Sequence, residues 1–279
     1  MSKLSVELGA VQETLLIPLL GRAVATQKGS GLIEDPKAVE IVEALDYDFS
    51  KWQKSKALMG ATVRTRMFDE DVQAFLAEHP TGTVVEIGCG LNTRFERLDN
   101  GQARWFDLDL PDSLALRRHF FQDQPRRTML SGSVLETSWM NPVAATGGPW
   151  CFISEAVLIY LETAEAHSAI AQIADRFPGA WLLFDTTGQK MVESQATHEL
   201  MRHLPQESWF RWVCDEPQEL ETLGNITLLR SRTLLDASPA LLTQIPGLMG
   251  WLIRHLPWLF RKQISGYRLN QFVVPTQSS

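Results

Sequence analysis

The stretch TVVEIGCGLNTRFERLD, Thr83 to Asp99, sets a run of β-branched and apolar residues directly against Gly88-Cys89-Gly90 and then turns into a charged helix. Thr83 to Ile87 reads as a strand buried on both faces. Glycines straight after such a strand let a ligand come close to the backbone at the carboxyl edge of a sheet. The third glycine of the dinucleotide fingerprint is missing: counted from Gly88 its place is taken by Thr93, with Asn92 before it. A pyrophosphate calls for bare amides at the helix start. S-adenosylmethionine carries no phosphate and tolerates side chains there. Glu86 precedes the loop, and Asp107 and Asp109 follow about 20 residues on, where a carboxylate can take both ribose hydroxyls. The combination favours S-adenosylmethionine over a nicotinamide cofactor.

Outward from this stretch, apolar runs alternate with helical segments as a parallel sheet covered on both faces requires. Further strands are expected at Ala103–Asp109, Thr128–Gly132, Trp150–Ala156 and Ala180–Thr186. Between them, DSLALRRHFF follows helical spacing only in part, whereas AEAHSAIAQIADRF places Ile170, Ile173, Ala174 and Phe177 in register. NITLLRSRTLL and YRLNQFVV form a final antiparallel pair around the most apolar part of the chain, Ala240 to Phe260. Pro246, Gly247, Arg254, His255 and Pro257 interrupt that part, which argues for a helical cap over a pocket and against stable membrane insertion. Residues 1–80 read as helical, with a proline near the middle of the first helix and Asp35 as N-cap with Pro36 as the first residue of a later one. No sheet is evident there, so this segment is expected to lie on the α/β unit as a cap. The expected organisation is a helical cap over 1–80 and an α/β unit over 81–279 with an apolar helical insertion at 237–262.

With 26 Lys and Arg against 33 Asp and Glu and no basic run, nucleic acid is excluded as an expected partner. Cys89, Cys151 and Cys214 form no CxxC pair, which fits a reducing cytoplasm rather than a disulfide framework. The loop offers Cys89 no paired base, so a backbone role is expected of it rather than a nucleophilic one. His198 and His203 stand five apart, on different helix faces, so no metal site is expected from them.

The segments VVEIGCGLNTRFERLD, WFDLDLPDSLALRR, SGSVLETSW and FISEAVLIYLE, in this order, resemble the leucine carboxyl methyltransferase family and, within it, its bacterial polyketide O-methyltransferase branch. The likeness extends upstream through ETLLIPLLGRA, DPKAVEIVEALDYDFS and RTRMFDEDVQAFL, and so covers nearly the whole chain. It implies a Rossmann-like class I methyltransferase fold: a mostly parallel α/β sheet with the last strand antiparallel, a helical N-terminal lid and a helical insertion before the last strand. It further implies that Gly88, Cys89 and Gly90 line the methionine part of S-adenosylmethionine, that Asp109 holds the ribose, that Ser133 and Val134 flank the adenine, and that Glu155 lies under the amine. An arginine of RTRMFD, Arg64 or else Arg66, is expected to pair with the cofactor carboxylate, and Lys37 is a looser candidate. Asn92 replaces the family's aspartate, which makes any contact there a neutral hydrogen bond. Ser133 replaces the aspartate of the leucine carboxyl methyltransferases proper, which points to the bacterial branch.

Methyl transfer from a sulfonium is an in-line displacement that the protein promotes by alignment in a dry pocket. A carboxylate acceptor is already ionised at neutral pH. A phenol, with an unperturbed pKa near 10, needs a general base. His119, His167, His198 and His203 lie in helix-like segments with no evident role as that base, so carboxyl methylation leads and phenolic O-methylation is second. Two other classes stay open: an S-adenosylmethionine-binding module without turnover, and a nicotinamide oxidoreductase with a drifted loop. A hydrophobic small-molecule acceptor is expected, with Tyr160, Trp251 and Trp258 as pocket or core residues.

Overall fold

The computed structural model describes residues 3–276. Two residues at Leu4–Ser5 (β1) pair in parallel with Leu45–Asp46 (β2), a contact too short to leave a periodic signal. Four helices belong to the N-terminal segment: α1 (Leu16–Gln27), α2 (Pro36–Ala44), α3 (Ser50–Gln53) and α4 (Ala57–Glu78). The first proline does not fall mid-helix as expected. A single 3-10 turn at Gln12–Leu15 precedes α1, which puts Pro18 in the first turn, where its missing N–H costs nothing. The start of α2 is as read: Asp35 accepts the Ala38 N–H at 2.9 Å and Pro36 follows as the first helical residue.

Seven strands form the main sheet: β3 (Thr83–Ile87), β4 (Arg104–Asp109), β5 (Arg127–Ser131), β6 (Trp150–Ser154), β7 (Trp181–Thr187), β8 (Thr227–Arg232) and β9 (Tyr267–Val273). Their order is β5-β4-β3-β6-β7-β9-β8, and β9 alone runs against its neighbours. The chain leaves β3 towards β4 on one side and returns to β6 on the other. A crevice therefore opens at the carboxyl end of β3, the topological switch point where ligands of such sheets bind.

Alternation along β3 decides what covers each face. Val84 belongs to a core shared with Leu19, Leu20, Trp52, Phe68 and Phe75 of the N-terminal helices. Val85 and Ile87 belong to the opposite core, closed by Ile170 and Ile173 of α8 (Thr163–Arg176) and by Met140 and Val143 of α7 (Met140–Ala144). The N-terminal segment is thus one flank of the sheet as well as a lid. Short helices α5 (Arg94–Leu98) and α6 (Pro111–Arg117) follow β3 and β4. After β7, α9 (Gln189–Glu193) and several 3-10 turns run to β8. Between β8 and β9 the insertion folds as α10 (Pro239–Gln244), α11 (Gly247–His255) and α12 (Trp258–Ile264). Among the described residues no helix is long and apolar enough to cross a membrane.

Candidate active site

At the carboxyl edge of the sheet, under the N-terminal helices and the insertion, lies a cavity of about 1440 Å³. Its floor is the loop after β3. Gly88 and Gly90 have φ of 65° and 45°, the left-handed region that glycine tolerates. A Cβ on Gly88 would run into the Val157 side chain, so the loop has no room for one unless Val157 moves.

The loop is held from behind by two buried arginines that sequence reasoning did not single out. Arg117 Nη1 donates to the carbonyls of Gly90 and Asn92 at 2.9 and 2.8 Å, and its Nη2 pairs with Asp107 at 2.8 Å. Arg22, from α1, donates to the Leu91 carbonyl at 2.8 Å and to Asp35 at 2.9 Å. Three successive carbonyls, of Gly90, Leu91 and Asn92, are therefore each fixed by a charge-assisted bond. The signal for Arg117 was present in its helical place eight residues after Asp109. Nothing in the sequence ties Arg22 to a loop 69 residues away.

Asp109, the last residue of β4, lines the cavity and accepts the amides of Gly90 and Leu110 at 2.6 and 2.7 Å. Burial pushes its carboxyl above the ordinary range against the pull of those amides. Asp107 does not reach the cavity. It lies two residues deeper, opposite Glu86 in the register, and is committed to Arg117. Ser133 and Val134 line the cavity from the loop after β5. Thr93 does not: it is fully buried, and its hydroxyl donates to Asp35 at 2.5 Å.

Glu155, just past β6, lines the cavity and is the most heavily paired carboxylate in it. Its Oε1 accepts from Arg64 Nε at 2.9 Å and Thr65 Oγ1 at 2.7 Å, and its Oε2 from Arg94 Nη2 at 2.6 Å. Burial alone would raise its pKa, but Arg64 and Arg94 hold it at about 2. Arg64 lies on the cavity wall. Arg66 is off it, 3.6 Å from Asp69, because residues two apart on α4 point to opposite sides. Lys37 pairs with Glu40 at the surface instead of approaching the loop. Arg94 reaches Glu86 and Asp69 as well as Glu155.

Tyr160 lines the cavity beside Phe210, and burial pushes its hydroxyl up to about 12. Trp251 and Trp258 do not line it. They are 48% and 61% exposed, and the insertion lines the cavity through Ile245, Ile253, Phe260 and Ile264. The segment is divided into three short helices, so no single apolar face spans it. Of the histidines, His198 alone lies on the wall. Its Nδ1 accepts the amides of Leu200 and Met201 at 3.3 and 3.5 Å, which leaves the proton on Nε2, and burial lowers its pKa. Cys89 is buried, and burial pushes its thiol well above the ordinary range, which removes it as a nucleophile. Among the described residues no group of three or more His, Cys, Asp or Glu is arranged for a metal ion.

These residues fit S-adenosylmethionine on structural grounds. The Gly88 cradle admits backbone contact, a carboxylate ends β4, and Glu86 Oε2 and Asn92 Oδ1 are buried acceptors without a partner among the described residues. Such acceptors suit a ligand rich in cationic and hydroxyl donors.

The model of the leucine carboxyl methyltransferase family matches residues 16–174, which include α1, the glycine loop, Asp109 and Glu155. The tetracenomycin polyketide synthesis O-methyltransferase of Streptomyces glaucescens is 28% identical over 244 residues, 84% of this chain and 89% of that one. An S-adenosyl-L-methionine-dependent methyltransferase of Gibberella zeae is 25% identical over 280 residues, 92% and 93% of the two chains. A Thermobifida fusca protein classed as a methyltransferase has the same fold, with a TM-score of 0.57 at 17% identity over 93% of this chain and 94% of that one. With its glycine loop, switch-point crevice and helical lid, the chain belongs to the leucine carboxyl methyltransferase family and is an S-adenosylmethionine-dependent methyltransferase.

Proposed function

We propose that the protein methylates a carboxylate oxygen of a hydrophobic small molecule of polyketide or fatty-acyl type, as a relative of the bacterial polyketide O-methyltransferases. The observation that carries this reading is the cavity. At about 1440 Å³ it exceeds the roughly 300–1,000 Å³ of an ordinary small-ligand site, so it has room for the cofactor and an acceptor together.

In this reading the cofactor end is the sheet side. The Gly88–Gly90 backbone and Asn92 face the methionine part, Asp109 takes the ribose hydroxyls, Ser133 and Val134 flank the adenine, and Arg64 and Glu155 meet the carboxylate and amine. When bound, S-adenosylmethionine supplies a methyl group on a sulfonium, ready for in-line displacement. The chain's part is to orient and to exclude water. The apolar end, made of Ile17 and Val63 from the N-terminal helices and Ile253 and Phe260 from the insertion, suits a bulky acyl or aromatic body.

The His198 geometry favours a carboxylate over a phenol. Its Nδ1 lone pair is engaged by backbone amides, so it offers Nε2–H as a donor and has no free lone pair to remove a phenolic proton. A screen for transfer of radiolabelled methyl across hydrophobic acids, phenols and protein C-termini tests the reading. Turnover with hydrophobic acids is expected. Turnover confined to protein C-termini would refute the acceptor class, and turnover confined to phenols would refute the chemistry.

A further inference from the structure

Glu155 and Ala156 form the turn that presents Glu155 to the cavity, and this turn is unusual. Ala156 has φ of 54°, the one positive φ outside glycine among the described residues. A side chain in that region costs energy and persists only where surrounding groups hold it. The holder is Asp185, fully buried in β7, whose two oxygens accept the Ala156 amide at 3.0 and 2.8 Å.

Asp185 does more than pin the backbone. Its Oδ2 accepts the hydroxyl of Tyr267, the first residue of β9, at 2.5 Å. The Tyr267 oxygen accepts Arg64 Nη1 at 3.1 Å, and Arg64 Nε donates to Glu155 at 2.9 Å. A closed ring results: Ala156 N–H to Asp185, Tyr267 O–H to Asp185, Arg64 to Tyr267, Arg64 to Glu155, and Glu155 back to Ala156 through the peptide bond. Arg64, Glu155, Ala156 and Tyr267 line the cavity, while Asp185 stands behind them.

We infer that Asp185, acting through Tyr267, is a positioning residue that sets the orientation of Arg64 and Glu155 for the amino-acid end of S-adenosylmethionine. The inference rests on the assignment of Arg64 and Glu155 proposed above. The ring joins four elements, α4, the turn after β6, β7 and β9, so the lid helix and the last strand are aligned at one point.

Polarity gives the ring a protonation state. Asp185 must be an acceptor towards both Ala156 and Tyr267, and a proton on it would oppose a donor already aimed there. The groups facing Asp185 are Arg64 from α4, Glu155 and the Ala156 amide from the turn, and Tyr267 from β9. Burial pushes Asp185 up to about 6 against Arg64 and its two hydrogen-bond donors, and burial keeps the Tyr267 hydroxyl protonated. Affinity for the cofactor should therefore fall as pH drops through about 6. The effect of the same group on stability has the opposite sign. A carboxyl raised by folding contributes stability below its unfolded pKa and loses it as pH rises through about 6. Weaker binding in acid would thus not be a by-product of unfolding through this group.

The test is calorimetric titration with S-adenosylhomocysteine across pH 5 to 8, on the wild type and on Glu155→Gln, Asp185→Asn and Tyr267→Phe, with melting curves alongside. Tyr267→Phe cuts the ring between Asp185 and Arg64 but keeps the Ala156 contact. It is expected to lower affinity about tenfold, the scale of one charge-assisted bond, in a protein that still folds with a melting temperature lowered by the donor lost from buried Asp185. Asp185→Asn is expected to lower affinity further and to flatten the fall below pH 6, while Asp109 and Glu86 still titrate in both proteins. If Asp185→Asn fails to fold, Tyr267→Phe decides. Normal affinity in Tyr267→Phe and in any folded Asp185→Asn, with Glu155→Gln impaired, overturns the positioning role alone. A wild type that does not bind, or a Glu155→Gln as tight as wild type, overturns the site assignment beneath it.

Discussion

Asp107 and Asp109 share one face of β4, and their separation in function comes from depth alone. Asp109 ends the strand and faces the cavity, whereas Asp107 lies beneath it and neutralises Arg117. Sequence spacing put both within reach of a ribose and could not rank them by depth. The same holds for Arg64 and Arg66, where only the helix phase of α4 decides. Asp109→Ala is expected to weaken S-adenosylhomocysteine binding by about 1.5–3 kcal/mol, the scale of bonds to a charged group, with the fold intact. Asp107→Ala instead leaves Arg117 buried with a lost partner, which costs about 3–5 kcal/mol of stability. Calorimetry and urea unfolding of the two variants check this, and an exchange of the two effects would reverse the assignment. Glu155 adds a pH signature. Its folded pKa of about 2 lies below the ordinary range near 4.3, so it stabilises the fold above about pH 4 and loses that contribution as pH falls towards 2. Glu155→Gln should flatten the stability profile in that acid window, and an unchanged profile would contradict the pairing with Arg64 and Arg94.

Among the elements, the loop after β3 depends on glycine for two separate reasons, conformation and space. Gly88→Ala meets both the left-handed φ, about 1–3 kcal/mol, and the Val157 side chain. Val157→Ala removes only the second. The double variant should therefore recover part of the stability lost in Gly88→Ala and not all of it, as followed by thermal unfolding. Full recovery would mean that the backbone is unstrained, and no recovery that Val157 yields freely. This loop was legible because β-branched residues, glycines and a charged helix each leave a local signal. The five parallel strands were legible for the same reason, to within one or two residues at their ends. The segment from α9 to β8 was not: its short helix and 3-10 turns bury scattered residues such as Gln195, Met201 and Trp212 without any period. Contacts that join distant elements, Arg22 to Leu91 or Asp185 to Tyr267, leave no local trace at all.

For the whole molecule, the cavity is a product of assembly, since its sheet side comes from the switch point and its apolar side from two segments at opposite ends of the chain. The insertion shows what that means for sequence reading. Its apolar character was plain between Ala240 and Phe260, yet which residues turn inward depends on the breaks at Pro246 and Pro257, which divide the segment into three short helices. The two tryptophans fall outside, and Phe260 and Ile253 fall inside. Phe260→Ala should therefore remove apolar contact with the acceptor, worth about 1.5–3 kcal/mol if fully lost, and raise the acceptor KM roughly tenfold or more. Cofactor affinity should hardly move, because Phe260 comes from the insertion whereas the glycine loop and Asp109 come from the sheet edge. Trp251→Ala, at a site 48% exposed, should change KM and stability little. Steady-state kinetics with the acceptor found in the methyl-transfer screen, paired with S-adenosylhomocysteine calorimetry, separates these effects. A KM rise in Trp251→Ala with Phe260→Ala silent would place the acceptor on the outer face of the insertion, and the cavity would then hold the cofactor alone.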